Sequence, residues 1–181
     1  MITLFNRTRH PDAAIKEVVA FAARAIGVKG DVAVKVTRSQ CTKPNAVAFR
    51  GFPYRGFMKG TSDRKGRNGD LVGERPGYVI LSLPPREGRT TGWLDICEWF
   101  MECALHEMAH IRQFRENRYW RLREAERRQS PGRRMAHDRR PCEIDAEDRA
   151  YEVMQDKKKD RRRQDLVIAM AVALEEASHG R

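Results

Sequence analysis

Hydrophobic and polar positions repeat with two different periods along the first half of the chain. Apolar residues recur every three or four positions from residue 15 to residue 26, with Pro11 near the start and Gly27 just past the end, which predicts an amphipathic first helix. Its apolar face comprises Ile15, Val18, Val19, Ala22 and Ile26. Residues 32–37 then alternate between apolar and other side chains, which is the period of a β-strand. Two further strands are predicted at residues 46–52 and 78–83.

The second half of the chain has the periodicity of α-helices. Residues 93–114 are apolar on several faces, which is typical of a buried helix. A charged helical segment continues to about Gln129, and further helices are predicted at residues 141–155 and 165–177. This order predicts an α+β fold in one domain, residues 1–181, with a small, twisted, mostly antiparallel sheet of about three strands packed on the 93–114 helix. Residues 1–92 would supply the first helix and the strands, and residues 93–181 the helical part.

A charged, glycine-rich segment lies between the second and third predicted strands. Residues 58–77 contain Gly60, Gly66, Gly69, Gly73 and Gly77. This composition predicts a mobile loop or an open hairpin tip, and a flexible loop here would flank a cleft. The spacing GxxxxGK[ST] of a phosphate-binding loop is absent from it.

Charge and cysteine content narrow the class of protein. The chain carries a net charge of +11, and a basic protein is attracted to nucleic acid and to other anionic partners. Its four cysteines form no CxxC pair, and no signal peptide is evident at the start. The longest apolar run, residues 166–174, is much shorter than the ~20 residues that span a bilayer. We therefore expect a soluble, cytoplasmic protein with no membrane association.

The basic residues are concentrated in two segments, residues 115–140 and 157–163. Such stripes can bind a phosphate backbone, which would make nucleic acid a partner. Acidic residues at helical spacing, such as Glu124 beside Arg128, also fit a solvated charged face. Both explanations of these segments remain open at the level of sequence.

The chemistry is concentrated in residues 106–110, which read His-Glu-Met-Ala-His within the most apolar predicted helix. His106 and His110 are four residues apart, so both imidazoles lie on one helix face and can bind a single Zn²⁺ at ~2.0–2.1 Å. Glu107 projects beside them, where its carboxylate can take a proton from a metal-bound water. Without partners, these polar groups would be unfavourable in a buried helix, and a metal satisfies them.

A second acidic element follows on the predicted 141–155 helix, where Glu143 and Glu147 are again one turn apart. Together the two elements resemble the gluzincin branch of the zincin metallopeptidases, in which a glutamate on a later helix completes the zinc site. The resemblance covers roughly residues 93–155, and the small intracellular ImmA/IrrE-type peptidases are similar. In those peptidases the position of Glu147 is usually Asn or Asp.

The resemblance implies a zincin-like fold and the zinc-dependent hydrolysis of peptide bonds in a peptide or protein substrate. Glu143 would be the third metal ligand, and Glu107 would be the catalytic base. Glu147 would accept a hydrogen bond from an imidazole N–H. By analogy, a strand edge near residues 78–83 would line the cleft and hold the substrate in an extended form.

Other residues are candidates for the remaining roles. A group that stabilises the oxyanion is required, and Tyr151 lies two helical turns past Glu143. Tyr119 and Arg149 are further candidates by residue type, while Asp145, Glu147 and His137 are reserve metal ligands.

Two alternatives to a peptidase remain open. The first is a nucleic-acid-associated protein whose zinc site is structural, and the second is a degenerate zincin that binds a partner and cleaves nothing. Structural zinc sites usually have four protein ligands, whereas a catalytic site keeps one position open. The number of protein ligands therefore separates the first alternative from the enzyme.

Overall fold

The computed structural model describes residues 1–38, 45–49, 78–84, 91–133 and 135–179. The predicted loop at residues 58–77 lies outside these ranges. Within them, the strands are β1 (Ile2–Asn6), β2 (Val32–Arg38), β3 (Asn45–Phe49) and β4 (Tyr78–Leu83). The α-helices are α1 (Asp12–Ile26), α2 (Trp93–Arg115), α3 (Arg118–Gln129), α4 (Pro141–Gln155) and α5 (Lys157–His179). The predicted α+β class is confirmed.

The four strands form one sheet in the order β1-β2-β4-β3. β1, β2 and β4 are parallel, and β3 alone in this sheet is antiparallel to its neighbour. The prediction of a mostly antiparallel sheet is therefore wrong. Helix α1 connects β1 to β2 and returns the chain to its starting side, so both strands run in the same direction.

Strand β1 was not among the predicted strands. Its pairing with β2 begins where Ile2 lies opposite Val32. The terminal ammonium group of Met1 donates a hydrogen bond to Asp31 Oδ1 at 2.8 Å, beside this pair. At the other end, Asn6 Nδ2 donates to Asp12 Oδ1 at 2.7 Å and thereby joins β1 to the start of α1.

Helix α2 is at the centre of the molecule. It contacts β3, β4 and each of the other α-helices in the described ranges. Its fully buried residues include Ile96, Phe100 and Leu105, which belong to one hydrophobic core with residues of α1, the sheet, α4 and α5. Burying side chains of this size stabilises the fold by about 1.5–3 kcal/mol each. This packing fixes the position of the His-Glu-x-x-His segment.

The ends of the helices follow local signals. Asn117 adopts a left-handed conformation (φ 53°), and this ends α2 and lets the chain turn into α3. Helix α5 begins at Lys157, earlier than the predicted residue 165. Asp156 Oδ1 accepts hydrogen bonds from the backbone N–H groups of Lys158 and Lys159, so it caps the basic first turn. No helix in the described ranges has a stretch long and apolar enough to cross a membrane.

Candidate metal centre

Three side chains converge where α4 packs against α2. Glu143 Oε2 lies 3.2 Å from His106 Nε2 and 3.0 Å from His110 Nε2. The two Nε2 atoms are 3.1 Å apart. The i, i+4 spacing of the histidines on α2 and the position of Glu143 in the first turn of α4 produce this arrangement. The structure thus brings together the three residues that the sequence predicted as metal ligands.

A buried glutamine determines which nitrogen of His110 faces this cluster. Gln113 Nε2 donates hydrogen bonds to the carbonyl oxygen of Cys142 and to Asp145 Oδ2, both at 2.8 Å. Its Oε1 is therefore the acceptor for His110 Nδ1, at 3.0 Å. Neutral His110 accordingly carries its proton on Nδ1 and presents the lone pair of Nε2 to Glu143.

This arrangement fits a bound cation. A lone pair of His110 and a carboxylate oxygen of Glu143 face each other at 3.0 Å, and two acceptors need a proton or a metal ion between them. Ligands of a tetrahedral zinc ion at ~2.0–2.1 Å lie about 3.3 Å from one another. The three separations here are within a few tenths of an ångström of that spacing. Two imidazoles and one carboxylate are a donor set that zinc binds.

The pKa shifts of Glu143 and His110 also favour positive charge at this cluster. Burial alone would raise the pKa of Glu143, but its contacts with His106 and His110 outweigh burial and lower the pKa strongly. Burial likewise opposes the protonation of His110, yet the hydrogen bonds to Glu143 and Gln113 raise its pKa. These contacts therefore keep Glu143 ionised and favour positive charge beside it.

Glu107 lies next to the three candidate ligands and is itself buried, with 8% of its surface exposed. Burial is the main cause that raises the pKa of Glu107, and the charges of His110 and His106 act against it. The backbone N–H of Ala48 in β3 donates a hydrogen bond to the Glu107 carboxylate. A carboxylate with a raised pKa is a stronger base, which suits proton transfer near neutral pH.

A cavity of about 600 Å³ opens beside Glu107 and His106. Ala46 of β3 lines it on one side, and Glu147 and Tyr151 of α4 line it on another. The predicted oxyanion candidate Tyr151 therefore borders the same space as the candidate base. With 58% of its surface exposed, Tyr151 is accessible to a molecule in that space.

Glu147 has a different environment from the predicted one. It is exposed and lines the cavity, and among the described residues it forms no hydrogen bond with either imidazole. Gln113 of α2 accepts the hydrogen bond of His110 instead. Glu147 is one turn beyond Glu143 along α4, which places it past the ligand cluster. Sequence reasoning missed Gln113, although a polar residue three positions after His110 in the most apolar helix was an available signal.

The remaining candidates for metal ligand and oxyanion stabiliser make other contacts. Asp145, a reserve metal ligand, accepts hydrogen bonds from Arg118 Nε at 2.8 Å and Arg149 Nε at 3.1 Å. Arg149 is a candidate oxyanion stabiliser, so both candidates belong to one ion-pair network. Tyr119 packs edge-on against Phe114, with ring centroids 4.8 Å apart.

The reserve ligand His137 is close to the centre. It lies in a short 3₁₀ helix, His137–Arg139, which precedes α4. Its Nε2 is 3.5 Å from Glu143 Oε1, the carboxylate oxygen that the other two histidines do not contact, and 72% of its side chain is exposed.

The strand beside the site is β3, and not β4 as the analogy suggested. β4 is interior, since β2 pairs with one of its edges and β3 with the other. Within the described ranges, β1 and β3 are the two outer strands of the sheet. Because Ala46 and Ala48 of β3 reach the cavity and Glu107, the strand next to the cleft is the antiparallel one.

Several arginine and lysine side chains of the two basic segments form ion pairs with acidic residues. Fewer of their charges are therefore available to a phosphate backbone. Nucleic-acid association stays a prediction, and a salt titration of binding to random DNA tests it, since absence of binding at low salt would remove it. The pairs are Arg118–Asp145, Arg123–Glu126, Arg128–Glu124, Arg140–Glu126, Lys159–Asp156 and Arg163–Asp160.

Comparison of the chain with models of known protein families, with curated proteins and with solved structures finds no match. The chemistry of the site is therefore inferred from its own residues. These are two imidazoles, one ionised carboxylate, a buried second carboxylate and an adjoining cavity.

Proposed function

We propose that the protein is a zinc-dependent metallopeptidase. The observation that carries this proposal is the convergence of His106, His110 and Glu143 within 3.2 Å of one another, directly beside the buried Glu107. A cavity large enough for a side chain of a peptide adjoins these groups. The combination of a candidate three-ligand metal site, a base and a binding space supports this function.

The chain's own groups have distinct tasks in this reaction. When bound, zinc supplies Lewis acidity, which polarises a carbonyl and lowers the pKa of water toward ~7. Glu107 takes the proton from the attacking water and passes it to the leaving amine. Its burial favours the first step, because a raised pKa makes the carboxylate more ready to accept a proton.

The substrate would lie between β3 and α4. Ala46 of β3 and Glu147 of α4 both line the cavity, so a peptide that occupies it would contact both elements. Tyr151 borders the same space from α4, where its hydroxyl would donate a hydrogen bond to the oxyanion.

A catalytic zinc site is favoured over a structural one by the number of ligands. The described residues supply three close donors, from His106, His110 and Glu143. Three protein ligands leave the fourth position of a tetrahedral ion for water or substrate, as catalytic sites require. His137 is mainly exposed and contacts Glu143 itself, which is the behaviour of a partner of the ligand.

The decisive experiment replaces Glu107 with Gln in the full chain. We expect Glu107→Gln to retain one zinc ion per chain and to lose roughly 10²–10⁴-fold in the rate of peptide hydrolysis, the usual contribution of a general base. Glu98→Gln is the matched control, because Glu98 is exposed on the same helix. Hydrolysis by Glu107→Gln at the wild-type rate would show that the mechanism is wrong.

The same assay separates the enzyme from a degenerate zincin. A mixed peptide library is incubated with zinc-loaded wild-type protein, and new termini are identified by mass spectrometry. Cleavage that depends on Glu107 supports the peptidase. Full zinc occupancy without cleavage of any library member would overturn the proposal and favour a partner-binding role.

A further inference from the structure

The cavity beside the metal centre has two kinds of lining. Its walls are largely apolar, with Leu105 of α2 and Ala150 and Met154 of α4. Three exposed carboxylates from the same two helices, Glu102, Glu147 and Asp148, also line it, beside the buried carboxylate of Glu107. No lysine or arginine is among the described residues that line this space, although the whole chain has a net charge of +11.

These three carboxylates differ from many other acids of the molecule. Glu116, Glu126 and Asp145 form ion pairs with arginines. In the described part of the chain, Glu102, Glu147 and Asp148 have neither an ion pair nor a hydrogen bond, and all three are exposed to solvent. Their negative charge therefore remains available to a molecule that enters the cavity.

The cavity also has features of a binding site that do not depend on its exposed acidic residues. His106 of the metal centre and Glu107, which is more than nine-tenths buried, form part of its lining. Ala46 brings the outer strand β3 to the same space. A substrate positioned for attack at the metal would therefore place a neighbouring side chain in this cavity.

We propose that the cavity is a subsite for a long cationic side chain, arginine or lysine, of a peptide substrate. This inference rests on the proposed peptidase function and names the class of substrate. The aliphatic stem of such a side chain would pack against Leu105 and Met154, as long charged side chains commonly do on apolar surfaces. Its charged end would reach the carboxylates of Glu147 and Asp148.

A lining that is partly apolar and partly acidic favours a long cationic side chain over an apolar or an acidic one. An apolar side chain of equal length would gain contact with the walls but no charge interaction. An acidic side chain would be repelled by three carboxylates in one small space. Tyr151 also lines the cavity, and its ring would attract an ammonium or guanidinium group.

The test measures equilibrium binding to zinc-loaded Glu107→Gln, which holds the site intact without turnover. Short alanine-based peptides carry arginine, norleucine or glutamate at one position, and that position is moved along the peptide. At one position we expect arginine to bind about fivefold to tenfold more tightly than norleucine, since each exposed ion pair contributes a modest amount. Glutamate at that position should bind more weakly than norleucine.

Substitutions of the acids identify the cause of this preference. In the Glu107→Gln background, Glu147→Gln with Asp148→Asn should reduce the preference for arginine to about twofold or less. Glu152→Gln is the matched control, because Glu152 is exposed on α4 and does not line the cavity. All of these residues are on the surface, so their substitution should leave folding intact. Equal binding of arginine and norleucine peptides at every position would overturn the proposal.

The two hypotheses fail in different ways. If wild-type protein cleaves norleucine peptides as fast as arginine peptides, the cationic subsite is wrong and the peptidase stands. If no peptide is cleaved, while Glu107→Gln still selects arginine through Glu147 and Asp148, the subsite stands and the peptidase function is wrong.

Discussion

Gln113 Oε1 accepts a hydrogen bond from His110 Nδ1 at 3.0 Å, and Gln113 is fully buried. The same side chain donates to the carbonyl of Cys142, which directly precedes Glu143. One glutamine of α2 therefore orients a histidine on its own helix and holds the first turn of α4. The relative position of the three proposed metal ligands depends on this connection.

Replacing Gln113 with Leu should weaken zinc binding about 10–100-fold, the usual effect of losing a group that orients a metal-bound histidine. The leucine side chain would leave His110 Nδ1 without its acceptor and would release the start of α4 from α2. Zinc affinity is measured by competition with a chelating dye, and the fold is checked by circular dichroism of the metal-free protein.

The control for this substitution is Gln129→Leu, at an exposed position of α3. It should leave the zinc affinity unchanged. If Gln113→Leu binds zinc as tightly as wild type while remaining folded, Gln113 has no part in the metal site.

Local periodicity was sufficient to predict the parts of the site that lie within one helix. The spacing of His106 and His110 places both on one face of α2, and Glu143 follows Pro141 in the first turn of α4, as the pattern indicated. The meeting of Glu143 with the histidines is a tertiary contact, and the sequence supported it only through resemblance to the gluzincins.

The direction of the strands could not be predicted from the same signals. Apolar alternation in β2 and β4 is compatible with either direction, and the parallel pairing of β1 with β2 follows from the connection through α1. β1 was missed because its five residues show no clear alternation and their burial comes from pairing with β2. The hydrogen bond of Gln113 to His110 lies within α2 and is compatible with their spacing of three residues. The contacts of Gln113 with Cys142 and Asp145 depend on the approach of α4, which no local pattern encodes.

Removal of the metal should lower the thermal stability of the protein. Zinc at 100 times its dissociation constant stabilises the folded state by about 2.7 kcal/mol, which corresponds to a rise in Tm of roughly 5–10 °C for a chain of this size. We expect this difference between zinc-loaded and EDTA-treated protein in differential scanning fluorimetry.

Glu143→Gln should abolish most of the zinc-induced rise in Tm, because the neutral amide replaces the ionised ligand at nearly the same volume. Glu152→Gln, on the exposed side of α4, should preserve it. An equal rise in Tm for Glu143→Gln and wild type would exclude Glu143 as a ligand.

Asp145 should be a stabilising residue and not a metal ligand. Its carboxylate accepts hydrogen bonds from Gln113, Arg118 and Arg149. Asp145→Asn should therefore lower the free energy of unfolding by about 1–3 kcal/mol, the cost of breaking a hydrogen-bonded charge network. Urea denaturation of the metal-free protein measures this change, and zinc stoichiometry should stay at one ion per chain.

Asp138→Asn is the control, since Asp138 is exposed in the turn before α4. It should change the stability by less than about 0.5 kcal/mol. Loss of zinc in Asp145→Asn, without loss of stability, would instead make Asp145 part of the metal centre.

Cys103, which lines the cavity, should be an unreactive thiol at neutral pH. Burial, with the charges of Glu107 and Glu102, raises the pKa of Cys103 to about 11. The thiolate is the reactive form, so at pH 8 only about one thiol in a thousand is reactive. Alkylation by iodoacetamide, followed at this cysteine by peptide mapping, should rise about tenfold per pH unit from pH 7 to pH 10.

The urea-unfolded chain is the control for this measurement, because its thiols should titrate near ~8.5 and their reaction rates should level off above that pH. Glu102→Gln should lower the pKa of Cys103 and increase its rate of alkylation, since one nearby negative charge is removed. A plateau for Cys103 of the folded protein below pH 9 would contradict both its burial and the negative character of the cavity. Because that negative character is also what would attract a cationic side chain, such a plateau would weaken the electrostatic basis of the arginine or lysine subsite as well.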